Sequence, residues 1–311
     1  MKNKINILVL GASGQLGQCV KDALDKVIEN GAYVTYTLAD HTTVDIADEE
    51  QVRACVEKQQ YDTIINCAAY TNVAGAETDK EAAMKCNEFA VGVLAKICAE
   101  YNIKLIHIST DYVFDGTNDV KYEDSLPHPI NVYGASKLLG ETAIIREAQK
   151  TNLEYMIIRT SWLYSEYGNN FVKTIIKKLE AKENMNIIYD QVGSPTYAGD
   201  LAKFIVDDVL LSGIEFVSGI YNYSNQGVIS WYDFAMAICE IFNEVIISHK
   251  GYVAKIDYNV NPITTDSFKS NVDRPRVGIL PKDKVISTYK ARVPYWKDSL
   301  KDAIVKIYQQ K

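Results

Sequence analysis

The stretch Ile5-Asn6-Ile7-Leu8-Val9-Leu10-Gly11-Ala12-Ser13-Gly14-Gln15-Leu16-Gly17 decides the fold. Its first six residues are apolar at every position but one, the pattern of a strand buried on both faces, and they run straight into glycines spaced GxxGxxG. Gly11 at the strand end permits a tight turn. Gly14 lets a pyrophosphate approach the backbone, and Gly17 lets the following helix pack close to the sheet. The start of that helix offers unpaired N–H groups and a positive dipole end to phosphate oxygens. The turn is therefore expected to seat a dinucleotide.

Further along the chain, short apolar runs at 33–38, 63–67, 104–109 and 155–158 alternate with helical patterns at 17–30, 49–59, 80–101 and 132–150. Such alternation predicts an α/β fold, a doubly wound parallel sheet of the Rossmann type. Beyond residue 165 the pattern is less regular. Helices are expected at 170–181 and 230–245, and strands at 186–190 and 219–223. The expected organisation is a dinucleotide-binding domain over 1–165 and a smaller mixed α/β substrate lobe over 166–311, with some of its segments returning to the first sheet.

Composition narrows the function classes. The 311 residues carry 33 Lys plus Arg against 40 Asp plus Glu, a formal charge of −7, with no basic run, which argues against a nucleic-acid-binding face. The apolar run at 5–10 is too short for a signal-peptide core or a membrane span. The six cysteines form no CxxC pair and the four histidines no metal-ligand spacing, so buried thiols and no metal are expected. These features predict a cytoplasmic protein without a membrane or nucleic-acid partner.

Tyr133-Gly134-Ala135-Ser136-Lys137 places a phenol and an amine one helical turn apart, on one face. A phenol titrates near 10. An ammonium about 4 Å away at an effective dielectric of ~20 is worth roughly 4 kcal/mol, enough to bring that phenol toward neutral pH as a proton donor to a carbonyl. Thr110 ends the fourth strand, where open parallel sheets place ligands, 23 residues before Tyr133. Asp40 and Asp45 follow the second strand, where a carboxylate can accept hydrogen bonds from an adenosine ribose. Asp40 lies further from Gly11 than usual, so NADH and NADPH both stay open.

With these features the chain resembles the extended short-chain dehydrogenase/reductases, and within them the dTDP-4-dehydrorhamnose reductase family. The stretches that carry the resemblance are Asn66-Cys67-Ala68-Ala69-Tyr70-Thr71-Asn72-Val73, Ser109-Thr110-Asp111-Tyr112-Val113-Phe114-Asp115-Gly116 and Asn131-Val132-Tyr133-Gly134-Ala135-Ser136-Lys137. Arg159-Thr160-Ser161-Trp162-Leu163-Tyr164, Gly168-Asn169-Asn170-Phe171, Asp190-Gln191-Val192-Gly193-Ser194-Pro195-Thr196 and Arg274-Pro275 extend it over almost the whole length.

The resemblance implies reduction of the C4 ketone of dTDP-6-deoxy-L-lyxo-4-hexulose to dTDP-L-rhamnose, with NADPH or NADH as cofactor and a dTDP-linked 4-ketosugar as the small-molecule partner. It makes Tyr133 the proton donor, Lys137 the ribose ligand and Thr110 an aid at the substrate oxygen. Gly14, Gln15 and Leu16 would meet the pyrophosphate, Asp45 and Ile46 the adenine, and Ala69, Tyr70 and Thr71 the rest of the dinucleotide. Asp111, Trp162, Asn170 and Arg274 would contact the sugar nucleotide. Read without the resemblance, Trp162 is equally a core residue, Asn170 a helix cap and Arg274 a surface arginine.

Some family members place a glutamate two residues after the last glycine of the turn, on a magnesium ion between subunits. Cys19 stands there instead, so no metal is expected, while a homodimer stays open. Dehydratases of the superfamily carry Thr-Asp-Glu at the active-site strand. Thr110-Asp111-Tyr112 lacks that glutamate, which disfavours elimination. A non-catalytic subunit on the same scaffold is the third reading, and the presence of both Tyr133 and Lys137 argues against it.

Overall fold

The computed structural model describes residues 4–117, 119–250 and 255–310. The first lobe runs β1 (Ile5–Leu10), α1 (Gln15–Glu29), β2 (Val34–Ala39), α2 (Glu49–Lys58), β3 (Thr63–Asn66), α3 (Val73–Thr78), α4 (Lys80–Met84), α5 (Ala90–Tyr101), β4 (Lys104–Thr110), α6 (Val132–Ala148) and β5 (Tyr155–Thr160). Next come β6 (Leu163–Tyr164), α7 (Phe171–Glu180), β7 (Met185–Ile188), β8 (Val192–Gly193), β9 (Thr196–Tyr197) and α8 (Ala198–Lys203). The chain ends with β10 (Gly219–Asn222), β11 (Ile229–Ser230), α9 (Trp231–Lys250), β12 (Val260–Ile263), β13 (Val277–Gly278), α10 (Asp283–Tyr289) and α11 (Trp296–Gln309).

Six strands form one parallel sheet in the order β10-β5-β4-β3-β1-β2. Alternating strand residues feed two cores, as a sheet covered on both faces requires. Ile7, Val9, Ile106 and Ile158 pack with α1 and α8, while Leu8, Leu10, Ile64 and Leu105 pack with α2, α5 and α6. The chain leaves β1 for β2 on one side and returns to β3 on the other, so a crevice opens at the C-terminal ends of β1 and β3. Strand β10 joins the sheet beside β5 from far along the sequence. A separate core of Tyr164, Ile175, Phe234, Phe242, Trp296 and Leu300 supports the second lobe.

The expected helix at 80–101 departs from the prediction. Between α4 and α5 the residues Lys85–Phe89 form a π turn. That extra residue turns the fully buried Asn87 inward. Its Oδ1 accepts from Tyr70 N at 2.9 Å, and its Nδ2 donates to Tyr70 O at 3.0 Å and to Ser136 Oγ at 2.9 Å. Helical periodicity cannot reveal such a clamp, because its partners lie on other elements. Helix α9 runs five residues past its expected end at 245, to Lys250. Its start is fixed as a reciprocal cap in which Asp233 N donates to Ser230 Oγ and Ser230 N to Asp233 Oδ2.

Candidate active site

The crevice widens into a cavity of about 770 Å³ between the two lobes. Its floor is the glycine turn. Gly11 has φ +71°, and a Cβ there would lie 2.5 Å from Ala68 N, so only glycine lets the turn sit against the chain leaving β3. A Cβ at Gly17 would lie 2.4 Å from Gly11 O, which closes the first turn of α1 under the same constraint. The N-cap Gly14 brings no side-chain cap, and Gly14, Gln15 and Leu16 line the cavity. A helix N-terminus of this kind fits a pyrophosphate.

Strand β4 delivers Thr110 to the opposite wall. Thr110 Oγ1 accepts from Tyr112 N at 3.2 Å, starting the short helical turn Asp111–Val113, and lies 3.1 Å from Asp111 Oδ1. Asn131 caps α6, accepting from Gly134 N at 2.7 Å and donating to Asp273 O at 2.9 Å. A Cβ on Gly134 would lie 2.1 Å from Tyr112 O, so that glycine lets α6 press against the Asp111–Val113 turn. Tyr133 therefore meets Tyr112 edge to face, with centroids 5.6 Å apart, and lines the cavity beside Thr110.

The electrostatics differ from the expectation. Burial raises the Tyr133 phenol above its usual range, with Asp111 and Tyr112 adding to the rise and Thr110 opposing it. The Lys137 Nζ turns toward β4. There it donates to Ile108 O at 2.6 Å and lies 3.3 Å from His107 Nε2. The lysine is 2% exposed, and burial pushes its pKa down to about 8. The proton available to a substrate therefore sits on a phenol held protonated by desolvation. Burial likewise pushes the Asp111 carboxyl up to about 7.

Beneath Lys137, Glu141 receives Arg159 Nη2 at 2.6 Å and Ser109 Oγ at 2.5 Å, all three side chains buried, and this pair ties α6 to β4 and β5. Just before the second lobe begins, Trp162, with φ +48°, stacks on Trp231 at 3.6 Å between centroids and 13° between planes. Arg274 lies near enough to Tyr112 to act on its phenol electrostatically, while its buried Nε has no partner among the described residues, a donor suited to an anion.

Of the residues expected from the sequence, Gly14, Gln15, Leu16, Ala69, Thr71, Thr110, Asp111, Tyr133, Lys137, Trp162, Asn170 and Arg274 all line this cavity. Gly11 and Gly17 shape the turn from behind. Tyr70 presents its main chain to Asn87. Asp45 and Ile46 lie outside the lining. Asp45 accepts from Ala47 N at 2.9 Å and lies 3.7 Å from Lys85 Nζ, while Ile46 packs in the core. Asp40 accepts from Thr42 N and Thr42 Oγ1 within its own turn.

The carboxamide of Asn170 is committed. It caps α7 through Lys173 N at 3.1 Å and donates to Gln15 Oε1 at 2.9 Å, joining the second lobe to the phosphate turn. Sequence reasoning missed Trp231, Tyr112 and the His107 contact to Lys137. One of only three tryptophans, placed directly at a helix start, was the available signal for Trp231.

The six cysteines are free thiols, three of them buried. Among the described residues no group of His, Cys, Asp and Glu is arranged to hold a metal ion, and no helix is long and apolar enough to cross a membrane.

The comparisons with known proteins agree with this geometry. The family model described as the RmlD substrate binding domain matches residues 5–309. A dTDP-4-dehydrorhamnose reductase of Aggregatibacter actinomycetemcomitans is 34% identical over 302 residues, covering 95% of this chain and 97% of the relative. A dTDP-4-keto-6-deoxy-D-glucose reductase of Streptomyces niveus is 33% identical, covering 95% of each. The crystal structure of a Bacillus anthracis dTDP-4-dehydrorhamnose reductase in complex with NADP superposes with a TM-score of 0.84 at 33% identity, over 98% of this chain and 100% of that one. The chain belongs to the RmlD substrate-binding-domain family of the dTDP-4-dehydrorhamnose reductases.

Proposed function

We propose that the protein is an NAD(P)H-dependent oxidoreductase that reduces the C4 ketone of dTDP-6-deoxy-L-lyxo-4-hexulose to dTDP-L-rhamnose. One observation carries the reading: a single cavity joins an uncapped helix N-terminus to a buried, protonated phenol and to an arginine with an unpaired donor. The names of the relatives supply the substrate class.

A reduced nicotinamide dinucleotide bound in this crevice would supply the hydride for C4. Gly14, Gln15 and Leu16 would hold its pyrophosphate, Ala69 and Thr71 would flank it, and Lys137 would reach its ribose. Tyr133 gives its phenolic proton to the C4 oxygen as the ketone becomes an alcohol, and Thr110 steadies that oxygen. Trp162 and Asp111 position the sugar, and Arg274 binds the diphosphate through a guanidinium matched to two oxygens. On this reading residues 1–165 mainly serve the dinucleotide and 166–311 the sugar nucleotide, with Thr110, Asp111, Tyr133 and Trp162 of the first segment also facing the sugar. Tyr112, packed on Tyr133, offers no carboxylate for elimination, which disfavours a dehydratase. On this reading the enzyme is cytoplasmic, and sedimentation velocity tests whether it is a homodimer.

The test supplies the full-length protein with the synthesised ketosugar nucleotide and NADPH or NADH in turn. Loss of reduced-nicotinamide absorbance only when the ketosugar is present is expected, with dTDP-L-rhamnose identified by NMR. The Streptomyces relative favours one second reading, a substrate with the D-gluco configuration, and the product stereochemistry separates the two. No oxidation with a substrate of proven activity would remove the reductase reading.

A further inference from the structure

The polarity of the hydrogen bonds behind Lys137 follows from one fixed donor. Ala68 N donates to Asn66 Oδ1 at 3.1 Å, which turns the NH₂ of that carboxamide toward His107, where Nδ2 lies 3.0 Å from Nδ1. An NH₂ group only donates, so Nδ1 is the bare nitrogen of the ring. His107 is fully buried, and burial holds its pKa well below the usual value. The ring is neutral, and its one proton sits on Nε2. That N–H points at Lys137 Nζ, 3.3 Å away. An ammonium has no lone pair to receive it; an amine has one. Lys137 Nζ meanwhile donates to Ile108 O at 2.6 Å.

We propose that Asn66 and His107 are positioning residues that present an imidazole N–H to Lys137 Nζ and so favour its amine form over the ammonium, compared with an ordinary lysine, in the cofactor-free protein. The proposal rests on the reading of Lys137 as part of the reductase site and specifies the state in which that site waits. The groups that face Lys137 are mostly uncharged. His107 on β4 is neutral, and burial raises the Cys86 thiol of the π turn. On its own helix Tyr133 is protonated, and Glu141 is bound by Arg159 of β5 and by Ser109. Cys86 and Glu141 pull Lys137 toward the ammonium, and burial outweighs both and pushes its pKa down to about 8. The amine form, a minority at pH 7 and the majority above pH 8, gives the site one base that can take up a proton close to neutral pH.

Two NMR measurements on the whole cofactor-free protein test this. Imidazole ¹⁵N shifts report the His107 tautomer, and the ¹³Cε shift of Lys137, assigned by its loss in Lys137→Met, reports the amine titration. The expected results are the Nε2–H tautomer and a titration midpoint near 8. Asn66→Asp keeps an acceptor for Ala68 N but reverses the bond to the ring, so that Nδ1 carries the proton and a bare Nε2 faces Lys137. The midpoint then rises by one pH unit or more, lowering the amine fraction at pH 7 about tenfold. An Nδ1–H tautomer, a wild-type midpoint near the ordinary 10.5, or an unmoved midpoint in folded Asn66→Asp overturns the proposal. Should that variant not fold, the two wild-type measurements decide alone. Neither readout uses turnover, so an inactive protein with the expected midpoint would count against the reductase reading only.

Discussion

Replacing Asp111 by asparagine removes a carboxyl that is 3% exposed at the end of β4 and that burial pushes up from 3.8 to about 7. At 1.36 kcal/mol per pKa unit, ionising this group in the folded protein costs about 4 kcal/mol more than in the unfolded chain. The sign follows from proton counting. Between 3.8 and about 7 the native state keeps a proton that the unfolded state has lost, so the Asp111 contribution to stability falls as pH rises through that window and is flat on either side.

Asparagine has no such proton and still offers an amide oxygen to Thr110 Oγ1. It gives up one carboxylate oxygen as an acceptor of backbone N–H bonds, worth about 1 kcal/mol. Asp111→Asn is therefore expected to be about 3 kcal/mol more stable than wild type near pH 8 and about 1 kcal/mol less stable near pH 4. Urea unfolding followed by circular dichroism at the two pH values reads this crossover. A difference between variant and wild type that does not change with pH would falsify the assignment of a buried, proton-holding carboxyl.

Three further substitutions probe how the site is built. Gly11→Ala places a Cβ 2.5 Å from Ala68 N in a left-handed backbone, where an L residue alone costs about 1–2 kcal/mol. Stability should fall by more than that, together with dinucleotide affinity, as measured by thermal melting and fluorescence titration. Glu141→Gln leaves the buried Arg159 unpaired and should cost about 3–5 kcal/mol in chemical denaturation, with Glu141→Leu/Arg159→Met recovering part of the loss. Asn170→Ala removes the α7 cap and the bond to Gln15, so a loss of about 1 kcal/mol and weaker dinucleotide binding are expected; an unchanged melting point and affinity would contradict the link between the lobes.

The elements legible in the sequence are those whose determinants are local. The apolar run at 5–10 ahead of the glycines marks β1 to the residue, and β2 to β5 lie within two residues of their expected bounds at either end, because a buried parallel strand writes itself as a short Ile/Val/Leu run. Tyr133 and Lys137 share one cavity because the i, i+4 spacing on α6 puts them on one face.

What could not be read depends on distant partners. The π turn exists to aim Asn87 at Tyr70, seventeen residues away. The direction of Lys137 is set by β4, through Ile108 O and His107, and the expected lowering of the Tyr133 phenol gives way to burial. Trp162 appeared in sequence as core or stacking platform alike. The structure makes it a wall of the cavity because Gly193 leaves room behind the ring, a Cβ there lying 3.0 Å from Trp162 Cε2, while Trp231 covers its face.

The central claim is that the phenol of Tyr133 supplies the proton to the reduced carbonyl. Tyr133→Phe preserves the ring against Tyr112 and removes only the hydroxyl, so dinucleotide affinity and turnover with the ketosugar nucleotide can be measured in the same variant. The expected outcome is a dissociation constant within about twofold of wild type and a turnover lowered about 10²- to 10⁴-fold, the range of a lost general acid. Turnover equal to wild type in Tyr133→Phe would contradict the account.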